Sequence, residues 1–348
     1  MTDLEKNAYM LIRRGCACSR ADLARRLGVS RPTASTVAKG LLARGLIREC
    51  GKGKSTGGTT PILLSAETGL PGCVGIDLGY ADRMSAVLLD SAGNILEKKE
   101  CEFDPMDLSS MAVNSKKMVR TLSSGKKLVG VAVALSAIID ETTGRVINSI
   151  NPALRSNQLQ SMLKETLEYP VFSTNRSRAA AFSEAFGGAA DQMDFALISL
   201  GRSIGAAFWC GGKLFCGSGS AAGEIRNLRV ASGVRLEQAL SPERTSGADR
   251  EAILEICADA MSQIIDIIDL NMLILSGRFA DFGRDFSVLL EKRLRETGTP
   301  ATVRAAQFGR FSAARGCALR MGELIIPNTQ TGNFAVPARR PRQGPGTI

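Results

Sequence analysis

Pro32, Ser35, Thr36 and Lys39 recur three and four residues apart, with Arg31 just ahead of them. On a helix that spacing places all four on one face. The face is small, hydroxyl-bearing and positive. It suits a DNA major groove, where hydroxyls and a few long cations reach base edges. Arg20, at the start of the preceding predicted helix, adds a cation nearby. Lys52 and Lys54 sit in the glycine-rich run GKGKSTGGTT at 51–60, a tip placed for phosphate contacts. Phosphate contacts position a protein on a duplex and depend strongly on salt, whereas only the helix face can read sequence.

The elements that must hold these residues follow from local rules. Ser19, with Asp22 three residues on, caps a helix whose stripe is Leu23, Ala24 and Leu27. Gly28 breaks it, Ser30 caps the next helix, and Pro32 is tolerated in that helix's first turn. Ala34, Val37, Ala38 and Leu41 recur at i, i+3, i+4 and i+7 and must face inward. Leu4 to Arg14 reads as an earlier helix, with Leu4, Ala8, Leu11 and Ile12 inward. After Gly45, strands at 46–49 and 61–64 flank the basic tip. Together these predict a winged helix-turn-helix over residues 1–66, α+β in class, followed by a linker at 67–72.

From residue 73 strands alternate with helices to about residue 330. Predicted strands lie at 74–79, 85–90, 95–103, 128–135, 171–172, 196–200, 205–210, 213–216 and 272–275. Predicted helices lie at about 107–123, 159–167, 177–186, 248–269 and 281–296. This is an α/β body whose two halves each begin with a sheet, which implies two subdomains around a cleft. Residues 331–348 end in PARRPRQGPGTI, a basic Pro/Gly-rich tail that reads as disordered.

Composition narrows the chemistry. The chain of 348 residues is 44% hydrophobic, enough for real cores. It has no run of about 18 apolar residues and no signal pattern at its start, so a cytoplasmic protein without membrane contact is expected. Histidine is absent, which removes His-based acid–base chemistry and the commonest metal ligand. Nine cysteines without CxxC spacing argue for free thiols. The net charge of +10 is not spread evenly. Residues 1–70 hold 12 Lys/Arg against 5 Asp/Glu and the tail holds three arginines, which leaves the rest neutral. Positive charge confined to the helix-turn-helix segment is the electrostatic footprint of a nucleic-acid binder.

The body resembles the ROK family, which groups bacterial sugar kinases with repressors carrying a winged helix before the same fold. The matching stretches are GGTTPILL at 57–64, VGIDLG at 74–79, Gly130–Val133 with the Asp140–Gly144 turn, Asn151-Pro152, Asn175 with Ala179-Ala180-Ala181 and Glu184, Ile198–Gly201, Gly212-Lys213-Leu214 and Ala222-Gly223-Glu224-Ile225. Thr59 stands where the repressor branch typically has Arg. The resemblance implies an actin/hexokinase-type body of two subdomains. It also implies where this chain departs. The first phosphate loop reads Asp77-Leu78-Gly79-Tyr80-Ala81, with a phenol in place of glycine. The kinase general base is replaced by Arg176, which cannot accept a proton. The second loop reads Leu200-Gly201-Arg202-Ser203-Ile204-Gly205, and the late glycine pair is Ser276-Gly277. Asn227 takes the place of the zinc-site histidine, and Leu228–Glu237 contains no cysteine. No catalytic residue, metal site or cofactor is therefore expected.

By the same resemblance, the ligand-binding candidates are Asn151, Asn175, Arg176, Glu224 and Asn227, with Arg178 and Arg202 at the rim. Three states of the cleft follow: Arg176 pairs with Glu224 and closes it, an anionic sugar occupies it, or it holds nothing. The expected protein is a DNA-binding transcriptional regulator of carbohydrate metabolism, a repressor. It would bind a palindromic double-stranded operator as a homodimer or tetramer, with a sugar or anionic sugar as effector. The alternatives are an active ATP-dependent sugar kinase with an accessory DNA-binding head, and a ligand-independent DNA-binding scaffold.

Overall fold

A computed structural model describes residues 1–15, 18–54, 60–79, 83–190, 194–201 and 203–325. The readings made for residues 55–59, Tyr80 and Ala81, Arg202 and the tail at 331–348 lie outside these.

The head opens with α1 (Asp3–Arg13), α2 (Arg20–Leu27) and α3 (Arg31–Ala43). Thr2 and Glu5 form a reciprocal capping box on α1, in addition to the caps expected from spacing. Ser19 caps α2 by accepting from the Asp22 amide, Gly28 ends it in the left-handed region, and Ser30 caps α3. The inward sets match those read from spacing, with Tyr9 added and Leu4, Leu11 and Leu27 only partly covered. Strands β1 (Ile47–Lys52) and β2 (Ile62–Ala66) pair antiparallel as the wing.

The body holds two five-stranded sheets of identical topology. The first comprises β3 (Gly72–Asp77), β4 (Arg83–Leu89), β5 (Ile95–Glu102), β6 (Leu128–Leu135) and, after a side hairpin, β9 (Val171–Asn175). Its spatial order is β5-β4-β3-β6-β9. The hairpin is β7 (Ala137–Asp140) with β8 (Arg145–Ser149). The second sheet comprises β10 (Phe195–Leu200), β11 (Ile204–Cys210), β12 (Lys213–Phe215), β13 (Met272–Gly277) and β14 (Thr302–Ala305), ordered β12-β11-β10-β13-β14. In each sheet the first three strands form an antiparallel meander and the last two add in parallel. The two lobes thus repeat one plan.

The helices make the remaining layers. α4 (Leu108–Ser123) and α5 (Gln158–Thr166) cover the outer face of the first sheet. After two single helical turns, α7 (Leu236–Ala239) and α8 (Pro242–Thr245), the long α9 (Arg250–Ile268) and α10 (Phe286–Glu296) cover the second. Between the lobes lie α6 (Arg176–Ala185) and α11 (Ser312–Ile325), packed on each other, with α11 against the first sheet and α6 against the second. The apolar core of this central layer continues into the head through Ala8, Tyr9 and Ile12.

Two expectations change here. The helix expected at 281–296 begins only at Phe286, because a 3-10 turn and Gly283 at φ 107° interrupt the chain. Neither β14 nor α11 is among the elements expected from sequence. Helix α11 (SAARGCALRMGELI) is buried almost all round, so it lacks the apolar/polar contrast that marks a surface helix. Its small residues permit close packing. A Cβ at Gly316 would stand 1.6 Å from the Ala179 carbonyl oxygen on α6. Gly316→Ala should therefore force the two helices apart and cost about 1–3 kcal/mol or more, read as a lower urea midpoint at unchanged m-value.

Candidate nucleic-acid interface and interlobe cleft

Helix α3 carries its apolar residues into the head and leaves Arg31, Pro32, Thr36 and Lys39 exposed, with Ser35 half-buried. The Thr36 hydroxyl donates to the Pro32 carbonyl at 3.1 Å, so its lone pairs are what face outward. No acidic residue lies on α3, and Arg31 stands at its N-terminus, where the helix dipole already favours anions. Lys52 and Lys54 are exposed on the wing. Arg20 is placed differently from the other cations. Its guanidinium meets Glu49 of β1 at 2.7 Å, so it braces α2 against the wing.

The cleft is organised by one buried cation. Arg176 is 6% exposed at the start of α6, and Asp77 is fully buried at the end of β3. The Arg176 Nε donates to both Asp77 oxygens, at 2.9 and 3.2 Å, and its Nη1 donates to the Ser199 hydroxyl at 2.7 Å. Asp77 belongs to the first sheet and Ser199 to the second, so a single guanidinium ties the two lobes together. Gly79 and Gly201 back directly onto it. A Cβ at Gly79 would lie 2.4 Å from the Arg176 Cδ, and one at Gly201 would lie 3.2 Å from Nη1. The two glycine turns that would cradle phosphate instead cradle a side chain of the protein itself.

Of the residues expected to line the cleft, Asn175, Arg176 and Glu224 do line one cavity, of about 50 Å³. Asn151 and Asn227 do not line it. Asn151 braces its own loop, donating to the Pro105 carbonyl at 2.6 Å and accepting from the Ala153 amide at 3.0 Å. Both ends of the Asn175 side chain serve the backbone: it caps α6 through the Arg178 amide and donates to the Ala137 carbonyl at 2.9 Å. Glu224 meets Arg226 at 3.5 Å, whereas the Arg176 guanidinium goes to Asp77, so the Arg176–Glu224 pair, one of the three states considered for the cleft, is not formed. Burial pushes the Glu224 carboxyl up, opposed by the Arg226 and Arg178 charges. Arg178 is not at the rim. It is 2% exposed and donates to the Ser220 and Cys216 carbonyls at 2.7 and 3.3 Å. Asn148, Ser136, Ser177, Ser203 and Arg226 line the cavity without being candidates from sequence. Their signal is weak, because Asn148 sits on the short hairpin strand β8 and the serines are spread along the chain.

This geometry defines a class: a winged helix fused to a two-lobed body of sugar-kinase plan, with the interlobe site occupied by the protein's own arginine. Comparison with known proteins adds the family. Residues 73–233 match the ROK family, and residues 8–54 match the MarR family. The chain thus carries a ROK family domain behind a MarR-type winged helix-turn-helix. It is 26% identical over 225 residues to a xylose repressor of Caldicellulosiruptor bescii, covering 61% of this chain and 55% of that one. It is 25% identical over 231 residues to the Escherichia coli K12 transcriptional dual regulator NagC, covering 64% and 56%. The chain therefore spans little more than half the length of the relatives it matches. Among solved structures, a ROK family transcriptional regulator homologous to the E. coli MLC protein superimposes with a TM-score of 0.67 at 17% identity, covering 92% of this chain and 95% of that one. A Streptomyces griseus ROK glucokinase bound to glucose and AMPPNP gives 0.60 at 19% identity, covering 71% and 98%. At such identities the likeness concerns the fold.

Removing the buried guanidinium leaves Asp77 charged and unmatched. Arg176→Ala should cost about 3–5 kcal/mol, while Arg176→Met with Asp77→Asn should recover most of the loss. Urea unfolding of the three proteins measures both.

Proposed function

We propose that this protein is a DNA-binding transcriptional repressor of carbohydrate metabolism whose kinase-like body transfers no phosphoryl group. The Arg176–Asp77–Ser199 bridge is the observation that carries the second half. A kinase of this plan needs a base where Arg176 stands and open backbone where Gly79 and Gly201 press on its side chain. An arginine cannot take the proton, and loss of a general base alone lowers a rate by roughly 10²–10⁴. The first half is supported by the exposed α3 face, by positive charge confined to the head and tail, and by the names of the relatives.

The body acts as effector and assembly domain. A two-fold arrangement of heads would match a palindromic operator, since one recognition helix reads only a few base pairs. A sugar, neutral or anionic, is the effector that a hydroxyl-rich cleft with Glu224 and Arg226 would recognise. The present cavity of about 50 Å³ holds no such molecule, so binding requires the lobes to part. The same small volume favours a second reading, a ligand-independent DNA-binding scaffold. A thermal-shift series over pentoses, hexoses, amino sugars and their phosphates separates the two, with no stabilising compound supporting the scaffold.

Binding of the full chain to its own upstream DNA, followed by fluorescence anisotropy, tests the head. Arg31→Ala and Lys39→Ala should each cost about 1–3 kcal/mol on the operator and much less on random sequence. Lys52→Ala with Lys54→Ala should weaken both and reduce the log–log salt slope by about 2, one unit for each phosphate that is no longer neutralised. Unchanged binding after all four substitutions overturns the assignment.

A coupled ADP-release assay over the same sugars should show no turnover above background. Turnover that disappears in Asp77→Ala would restore the kinase reading.

A further inference from the structure

We infer that the groove between head and body is a binding site for an amphipathic organic anion, separate from the interlobe cleft. The groove has a volume of about 760 Å³, within the roughly 300–1,000 Å³ usual for small-molecule sites. Its head wall is built by α1 and α2, which present the partly exposed side chains Met10, Leu11 and Leu27. Its body wall carries Leu214, and its floor is closed by Phe182 and Trp209, whose rings meet edge to face at 5.8 Å.

Charge on this apolar frame is one-sided. Arg14 is matched by Glu323 at 2.9 Å, and Arg320 by Glu141. Arg26 on the head wall and Lys213 on the body wall are exposed and make no ion pair among the described residues. Two cations without an ion-pair partner among the described residues thus line one groove, and an anion bound there would be attracted by both. An inorganic ion leaves the apolar walls wet, and a neutral sugar leaves the cations unmatched. The fitting ligand has a compact apolar body, aromatic or branched, and one carboxylate, sulfonate or phosphate. Because the two walls belong to different domains, such a ligand touches the head and the body at once.

The probe is 8-anilino-1-naphthalenesulfonate, titrated into the full chain by fluorescence. One saturable site per chain is expected. Arg26→Glu with Lys213→Glu should weaken it about tenfold or more, the effect of losing some 1.4 kcal/mol of charge-assisted interaction. Leu27→Gln with Leu214→Gln should weaken it without any change of charge, and the neutral N-phenyl-1-naphthylamine should bind less tightly than the sulfonate. All four positions are at least partly exposed, and thermal melting by circular dichroism confirms that each variant is folded. Equal affinity in the charge-reversed protein overturns the inference, as does equal affinity for the neutral probe. Loss of binding as protein concentration rises also overturns it, since a second copy then covers the groove. Neither DNA nor sugar enters the experiment, so its failure leaves the repressor reading standing.

Discussion

Taking an arginine out of water is costly unless its charge is matched and its donors are used, and in this protein that requirement is met across the gap between two lobes. Asp77 ends a strand of the first sheet, Ser199 lies on the second, and Arg176 reaches both from the first turn of α6. The pair is buried, so separating the lobes means rehydrating or re-pairing both charges. In this structure an internal cation spans the space between the lobes and contacts both.

The same rule governs the rest of α6. All of its first nine residues are buried, yet three are charged. Arg176 is matched by Asp77 and Arg178 by Glu141 at 3.8 Å, with the Arg178 Nη2 also donating to the Ser220 and Cys216 carbonyls. Glu184 accepts from the Ala189 and Gln307 amides and from the Ser312 hydroxyl at 2.8–3.0 Å. A buried helix that carries charge survives only with such matching, and the partners come from both lobes and from α11. Arg315 of α11 returns the contact by donating to the Ser183 and Phe186 carbonyls at 2.8 Å, and burial lowers its pKa to about 10.

The head is attached to this central layer directly. Arg13 donates to the Ser91 and Leu319 carbonyls at 2.8 and 3.0 Å, and Arg14 stacks over the Phe186 ring at 3.9 Å while it pairs with Glu323. Burial raises the Glu323 carboxyl, and Arg14 opposes that rise. The N-terminal end of α6 therefore borders the cleft, and its C-terminal end meets the arginine that leaves α1. One ten-residue helix thus has an end at each place.

The winged helix was legible because its signals are local. Caps at Ser19 and Ser30, the break at Gly28 and the stripe from Ala34 to Leu41 each act within one or two helical turns, so sequence spacing is enough to place them. Most strands of the body were legible for the same reason, but the hairpin β7–β8 and the edge strand β14 were not. The sequence also determined that Arg176 cannot act as a base, since that follows from the chemistry of the guanidinium. It did not determine where that guanidinium goes. Asp77 lies 99 residues away, and Glu224 was an equally good partner by charge alone. Arg178 and Asn151 looked like ligand contacts and proved to be braces for neighbouring backbone. Helix α11, buried on nearly every side, had no periodic contrast to reveal it. Partner choice among buried charges, and the burial of a helix on all faces, depend on which distant segments the two sheets bring together, and only the tertiary structure decides that.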